Sequence, residues 1–558
     1  MALENLITEH IDIWTSAVKA KSTSGRGSSK KLELYGVKKL RELILELAVR
    51  GKLVPQNPND EPASFLLQRI SEEKTQLIKE KKITKPKKLP AIKKQDITFA
   101  LPEGWQACYF GDIYSLVYGD NLPKAKRTES GEFLVYGSNG SVGTHNLFSV
   151  GSPCLVIGRK GSAGAINLSD QPCWVTDVAY SLIPPVGISL KYCFLHLQTL
   201  GLDSLGKGIK PGLNRNEANA LVVCIPPSDE QHRIVAKVDE LMALCDQLEQ
   251  QTEASIEAHQ VLVTTLLDTL TNSADADELM QNWARISEHF DTLFSTEESI
   301  DQLKQTILQL AVMGKLVPQD PSDEPAAELL KRIADEKAQL VKDKKIKKQK
   351  ALPPIAEDEK PFELPSGWEW CYLQDLFSVV TDGDHQAPPK SDEGTPFLVI
   401  GNLNTGHIQF EGCNYVPAQY FDKLDWTRQP SKGDLLYTVT GSYGIPILVT
   451  EDVPFCVQRH VAILNSTADT PVEYIQYVLR SKYSFDFATS VATGIAQKTV
   501  PLTGLRKMPI PLPPLKERSE ILQMIATLIG VCEQLKVSIR DSQTNQLHLT
   551  DAIVEQVV

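Results

Sequence analysis

No two cysteines stand in a Cys-x-x-Cys spacing anywhere in the 558 residues. The ten cysteines are scattered, and Cys154, Cys173 and Cys224 lie in apolar, strand-like stretches. This excludes a zinc ribbon or disulfide framework and predicts reduced core thiols in a cytoplasmic protein. There is no unbroken run of about 18 apolar residues, so no membrane span is expected. The start, Met1-Ala2-Leu3-Glu4-Asn5, lacks the basic and apolar regions of a secretory signal. Positive charge is in deficit: 58 Lys and Arg stand against 70 Asp and Glu, net −12. A nucleic-acid binder working through overall charge is excluded, and any such face must be local.

Catalytic signatures are missing too. No Asn-Pro-Pro-aromatic or Asp-Pro-Pro-Tyr motif is present, so the chain is not expected to methylate DNA amino groups itself. His-Glu-x-x-His, Gly-x-Ser-x-Gly and a strand-linked Gly-x-Gly-x-x-Gly are absent. Gly201 to Gly208 imitates a phosphate loop but has Gly208 where a magnesium-binding Ser or Thr belongs. Asp323, Glu336 and Lys337 resemble a nuclease set, yet they fall on a helical stretch and read as surface charges.

What the chain does have is itself, twice. Ala48-Val49-Arg50-Gly51-Lys52-Leu53-Val54-Pro55-Gln56 recurs as Ala311-Val312-Met313-Gly314-Lys315-Leu316-Val317-Pro318-Gln319. Leu101-Pro102-Glu103-Gly104-Trp105 recurs as Leu364-Pro365-Ser366-Gly367-Trp368 at the same offset, 263 (311 − 48 = 364 − 101). Pro226 to Leu248 recurs as Pro513 to Leu535, at offset 287 (513 − 226). Ile7 to Asp12 resembles Ile286 to Asp291, the first copy carrying an extra Gly/Ser stretch, Lys21 to Ser29, expected to be a flexible linker. Two copies of one scaffold with unlike inserts predict a pseudo-twofold molecule.

Leu40, Leu43, Ile44 and Leu47 space as a helix face, as do Leu303, Ile307, Leu308 and Leu310, with Gly51 and Gly314 as stops. A further helix starts near Asp60-Glu61-Pro62, with Pro in its first turn, and ends in a lysine run, as does its repeat. Those runs read either as solvated helix ends or as contacts to phosphate or an acidic partner. Residues 106–224 and 369–511 are rich in Gly, Val, Ile and Tyr, which predicts short strands. The first holds nine Lys/Arg against eight Asp/Glu, the second ten against fifteen. After each, Ile234, Val238, Leu241, Cys245 and Leu248, and Ile521, Ile525, Leu528, Cys532 and Leu535, keep a 3–4 spacing. Such seams predict paired helices; one from about 227 to 270 would be roughly 65 Å long.

Within this frame, Tyr136-Gly137-Ser138-Asn139-Gly140, Gly158-Arg159-Lys160-Gly161-Ser162-Ala163-Gly164 and Trp174 to Tyr180 form one ordered set of motifs. Thr381 to Pro388, Lys432 to Leu436, Thr440-Gly441-Ser442-Tyr443-Gly444 and Gln458-Arg459-His460 form the other. In order and duplication the chain resembles the specificity subunit of type I restriction-modification enzymes over nearly its whole length. The resemblance implies an α+β fold: two globular target recognition domains of mixed type, joined by two long antiparallel coiled-coil helices. The implied domains are a helical repeat and basic linker (1–100), a recognition domain (101–225), a spacer helix (226–272), a second repeat and linker (273–363), a second recognition domain (364–512) and a last spacer helix (513–558).

It implies a non-catalytic DNA-binding subunit, with one half of a split, asymmetric target per domain and the helices setting the gap. Two methylation subunits would bring S-adenosylmethionine, and restriction subunits ATP and Mg2+; this chain would bind neither cofactor and no metal. The rival is a coiled-coil scaffold whose variable domains bind proteins. Candidate DNA contacts are Tyr136, Ser138, Asn139, Arg159, Lys160 and Ser162, with Lys207, Lys210, Asn214 and Arg215 better suited to phosphate. In the second insert they are His385, Thr440, Ser442, Tyr443, Gln458, Arg459, His460 and Lys498. Arg to guanine and Gln or Asn to adenine are the informative pairings. Strand alternation would bury one of Gln458, Arg459 and His460, and His385 could equally order its own loop.

Overall fold

The computed structural model describes residues 3–20, 32–81, 83, 89–205, 212–386, 388–495 and 497–558. Lys21 to Ser29 and most of the first lysine run lie outside them. The chain divides into two compact units, Met1–Ser255 with Ser542–Val558, and Ile256–Asp541.

In the first unit, α1 (Leu3–Glu9) breaks at His10 into α2 (Ile11–Ser16). A short ribbon, β1 (Val18–Ala20) with β2 (Leu32–Leu34), leads into α3 (Tyr35–Val49), which buries Leu40, Leu43, Ile44 and Leu47. Gly51 ends it at φ 67°, where a Cβ would strike Pro102 at 2.6 Å and the Trp105 ring at 2.9 Å. α4 (Ala63–Lys79) follows, with Pro62 at its N-cap rather than inside its first turn.

The recognition domain runs β3 (Gln106–Tyr109), α5 (Phe110–Ile113), β4 (Val117–Tyr118), β5 (Phe133–Gly137), β6 (Gly140–His145), β7 (Cys154–Gly158), β8 (Ile166–Ser169), β9 (Cys173–Val175), β10 (Ala179–Leu182), α6 (Leu190–Gln198), α7 (Arg215–Asn219) and β11 (Val222–Ile225). The sheets are β4-β10-β7-β8, β6-β5-β9 and β11-β3. α8 (Ser228–Thr271) is the long helix expected over 227–270. α3 is tied to α8 by Arg41, which pairs with Asp246 at 2.6 Å and Glu249 at 2.8 Å. The chain's last residues also reach α3, where the Tyr35 hydroxyl donates to Asp551 at 2.7 Å.

The second unit repeats this plan. α9 (Ala276–Glu288) breaks at His289 into α10 (Phe290–Leu293), then α11 (Glu297–Val312) and α12 (Ala326–Lys342) follow. Its recognition domain contains β12 (Glu369–Tyr372), β13 (Val379–Asp382), β14 (Thr395–Leu398), β15 (Asn414–Val416), α13 (Ala418–Lys423), β16 (Leu435–Thr438), β17 (Pro446–Leu448), β18 (Cys456–Val457), β19 (Val461–Asn465), α14 (Val472–Arg480), α15 (Lys482–Val491), α16 (Leu502–Arg506) and β20 (Pro509–Leu512), before α17 (Leu515–Val557).

The sheets are β13-β19-β16-β17, β15-β14-β18 and β12-β20. This is the order of the first domain strand for strand, including one parallel pair in each, β5 with β9 and β14 with β18. Inserts of unlike sequence therefore share a topology. β16 and β19 are central and buried on both faces. Leu435, Tyr437, Ala462 and Leu464 enter a core with α11, α12 and Ile521 and Ile525 of α17. Leu436, Val461 and Ile463 enter a second core with Leu398 and Phe455. Each such Leu or Ile contributes about 1.5–3 kcal/mol on burial.

Farther along α17, Cys532 packs with Val263, Leu267 and Leu270 of α8 and Leu303 of α11. Lys304 pairs with Glu533, the counterpart of Arg41 with Asp246 at offsets 263 and 287. α17 also holds an 18-residue stretch of mean hydropathy 1.3, which by length and composition could cross a membrane. Ile521, Ile525 and Cys532 are instead committed to the cores of this unit.

A buried carboxylate fixes each recognition domain to its helix. Glu230 accepts from the Trp105 indole N–H at 3.0 Å and the Gln56 amide at 2.8 Å. Glu517 accepts likewise from Trp368 (3.1 Å) and Gln319 (3.3 Å). Burial pushes both carboxyls above the ordinary range, against the pull of the indole in the first and of the Gln319 amide and the indole in the second. A raised folded-state pKa means that these groups lose stabilisation as pH rises through it. Glu230→Gln removes the charge but turns an amide N–H toward one of the two donors, so it is expected to lower the melting temperature at pH 7 by less than Glu230→Ala. Glu230→Ala strands the buried Trp105 indole N–H, while the Gln56 amide keeps the Gly51 and Val54 carbonyls, and should lose about 1–3 kcal/mol in a melting series.

The nuclease-like set separates in space. Asp323 accepts from the Lys516 and Glu517 backbone N–H groups at the start of α17, both at 2.8 Å. Lys337 is half-buried instead of a free surface charge and donates to the Gln374 carbonyl at 2.7 Å, burial lowering its pKa.

Candidate nucleic-acid interface

In both recognition domains the motif loops converge at one end of the four-stranded sheet, through the same backbone bonds. β7 and β16 each run into a glycine loop. It closes by Gly164 N–H to Gly158 carbonyl (2.8 Å) in one and Gly444 to Thr438 (3.0 Å) in the other. Gly161 and Gly164 have φ 83° and 82°, Gly441 and Gly444 φ 71° and 93°. Other side chains would be strained there. The turn before β10 or β19 accepts next: Arg159 N–H donates to Val178, and Val439 N–H to His460. Finally β4 and β13 end in a Gly-Asp pair, with Asp120 bridged to Thr176 and Asp384 to Gln458. A Cβ on Gly119 would lie 2.2 Å from the Thr176 carbonyl oxygen, and one on Gly383 2.0 Å from that of Val457.

In the first domain the tip of the β5–β6 hairpin joins this cluster. Ser138 and Asn139 are its two loop residues, and a Cβ on Gly158 would meet the Ser138 carbonyl at 2.4 Å. Arg159 is held by Nε and Nη2 to the Asp177 carbonyl (3.1 and 2.6 Å) and lies over the Tyr118 ring, as does Arg215. Lys160 is exposed beside Gly212, and Ser162 lies within the glycine loop.

One expected contact is corrected. Tyr136 is 8% exposed and packs with Val150, Val156 and Val175, because its side chain points inward from the middle strand of its sheet. Asn214 is exposed as the N-cap of α7: its oxygen accepts from Asn216 N–H at 2.9 Å and its amide donates to Glu217 at 3.2 Å. Lys207 and Lys210 lie outside the described residues.

In the second domain Gln458, Arg459 and His460 form a tight turn instead of a strand, so none of them is buried. Arg459 is exposed at its middle. Partial burial, then the Arg459 charge, lower the His460 pKa, which keeps this imidazole neutral at physiological pH. His385 contacts Asp382 at 3.2 Å and is exposed, so it orders its loop while facing outward. Tyr443 stacks on Phe485 at 5.6 Å and bonds Thr489, a packing role. Thr440 is buried against Thr499, and Ser442 and Lys498 are exposed nearby.

Sequence reasoning passed over Tyr118, Asp384, Tyr420 and Arg428. Asp384 accepts from the Tyr420 hydroxyl (2.9 Å) and Arg428 (3.2 Å). Burial raises its pKa, but the Gln386 N–H, Tyr420 and Arg428 together bring it below the ordinary range. The shared Gly-Asp pair behind each short strand was the available signal. Among the described residues no three His, Cys, Asp or Glu side chains converge to hold a metal ion.

A family model described as the type I restriction modification DNA specificity domain matches residues 102–258 and 365–541. The chain belongs to this family. Both matches start at Leu-Pro-x-Gly-Trp and run into α8 or α17, so the family's unit is a recognition domain with its helix. The chain is 40% identical to the type I restriction enzyme EcoEI specificity subunit of Escherichia coli, over 100% of this chain and 99% of that one. It is 39% identical to the EcoAI specificity subunit of the same species, over the whole of both. Among solved structures, the HsdS subunit from Thermoanaerobacter tengcongensis aligns at 15% identity and TM-score 0.36, covering 83% of this chain and 98% of that one.

Proposed function

We propose that this type I specificity subunit recognises a bipartite, asymmetric DNA target, one half per recognition domain, with the long helices setting the unread gap. One observation carries this reading: a single loop framework, repeated bond for bond, presents unlike side chains. The first domain offers Tyr118, Arg159, Lys160 and Arg215; the second offers Asp384, His385 and Arg459. Identical frames with different donors and acceptors suit the reading of two different base sequences. Phosphate contacts from exposed lysines and arginines position the duplex, so affinity falls with salt.

The chain works without a cofactor of its own, in the cytoplasm. Two methylation subunits supply S-adenosylmethionine and transfer methyl groups to adenine. Restriction subunits supply ATP- and Mg2+-dependent cleavage.

Exchange of residues 102–225 for the matching stretch of the EcoEI subunit tests this. Methylation mapping is expected to show one half of the target replaced and the other kept. An unchanged motif from an assembled, active complex would refute the assignment of half-targets to domains.

A further inference from the structure

We propose that Arg159 reads a guanine in the first half-target, held in its reading position by the Tyr118 ring and the Asp177 carbonyl; this rests on the DNA-reading function above. Tyr118 is half exposed at the end of β4, and the Arg159 and Arg215 guanidinium carbons lie 5.1 and 5.2 Å from its ring centroid. Two cations against one tyrosine repel each other, and the ring's electron-rich face offsets that repulsion.

Arg159 is the better oriented of the two. Its Nε and Nη2 both donate to the Asp177 carbonyl. A guanidinium has five N–H donors, so this side-on grip leaves the end-on Nη1/Nη2 edge. Two parallel donors on a fixed plane match O6 and N7 of guanine in the major groove. The carbonyl and the ring together fix the plane, so little side-chain freedom remains to be lost on binding.

The trio is no part of the shared frame. Aligned by the backbone bonds above, Arg159 corresponds to Val439, which is 4% exposed, and Tyr118 to Asp382. Side chains that differ between the domains at matched backbone positions, and lie at the loop cluster, are where specificity is set. Tyr118 is a positioning residue: it acts on the base through Arg159.

The test uses the complete methylation complex and duplexes carrying 7-deazaguanine, which lacks N7, at each guanine of the mapped target in turn. One position in one half is expected to weaken wild-type binding about 10-fold or more. Arg159→Ala should weaken binding to the normal duplex similarly and show no further loss with 7-deazaguanine. Tyr118→Ala should relax base preference at that position alone, and Tyr118→Phe should retain it. A half-target without a G·C pair would overturn the proposal. So would equal 7-deazaguanine sensitivity in wild type and Arg159→Ala, or a Tyr118→Ala loss spread evenly over all sequences. Absence of any two-part target would instead refute the function on which the proposal rests.

Discussion

Gly383→Ala is expected to abolish recognition of the second half-target while leaving the first intact. The added Cβ would sit 2.0 Å from the Val457 carbonyl oxygen and 2.5 Å from the Gln458 carbonyl carbon. Both are backbone atoms, so neither can rotate away. The Asp382 to His385 loop must move off the Gln458 to His460 turn, breaking the bridge between Asp384 and Gln458 and displacing His385 and Arg459 together. A shift of about 1 Å at a reading site costs on the order of 100-fold. Methylation of the two-part target should fall by at least that factor, with a small fall in melting temperature because Val457 belongs to the core with Leu398 and Phe455. Gly119→Ala should do the same to the first half. Unaltered methylation by Gly383→Ala would show that the loop cluster is not the reading surface.

Arg459→Ala should relax specificity without unfolding anything. Arg459 is exposed in the middle of a turn whose backbone is fixed by Gln458 N–H to Leu398, Val461 N–H to Gln458 and Val439 N–H to His460. Removing the side chain leaves those bonds in place. A bidentate base contact is worth about 1–3 kcal/mol of discrimination, so the preferred base should lose roughly 5- to 150-fold over its competitors at one position. Arg459→Lys should recover charge but little of that preference, because an ammonium lacks the planar fork. A uniform loss across all sequences would make Arg459 a phosphate contact.

The helical scaffold was legible because its signals are local. The 3–4 spacing of Leu40 to Leu47 and Leu303 to Leu310, the stops at Gly51 and Gly314 and the extent of α8 need only neighbouring residues. The recognition domains were legible in class but not in topology. Their strands are short and paired across long separations, β4 with β10 and β13 with β19, and no residue announces its distant partner. For the same reason the common strand order of two unlike inserts was hidden. Gln458 to His460 was misjudged because alternation was assumed where a turn stands. Tyr118 escaped notice because a two-residue strand has no periodicity, and its worth lies in two arginines brought in from positions 159 and 215.

The most direct measurement is long-read methylation mapping of DNA from a methylase-free host that expresses this chain with its cognate methylation subunit. The predicted result is a two-part, non-palindromic motif bearing methyladenine on both strands, absent when this chain is omitted. An assembled complex that methylates no such motif, or the same motif with and without this chain, would contradict its role as the specificity subunit.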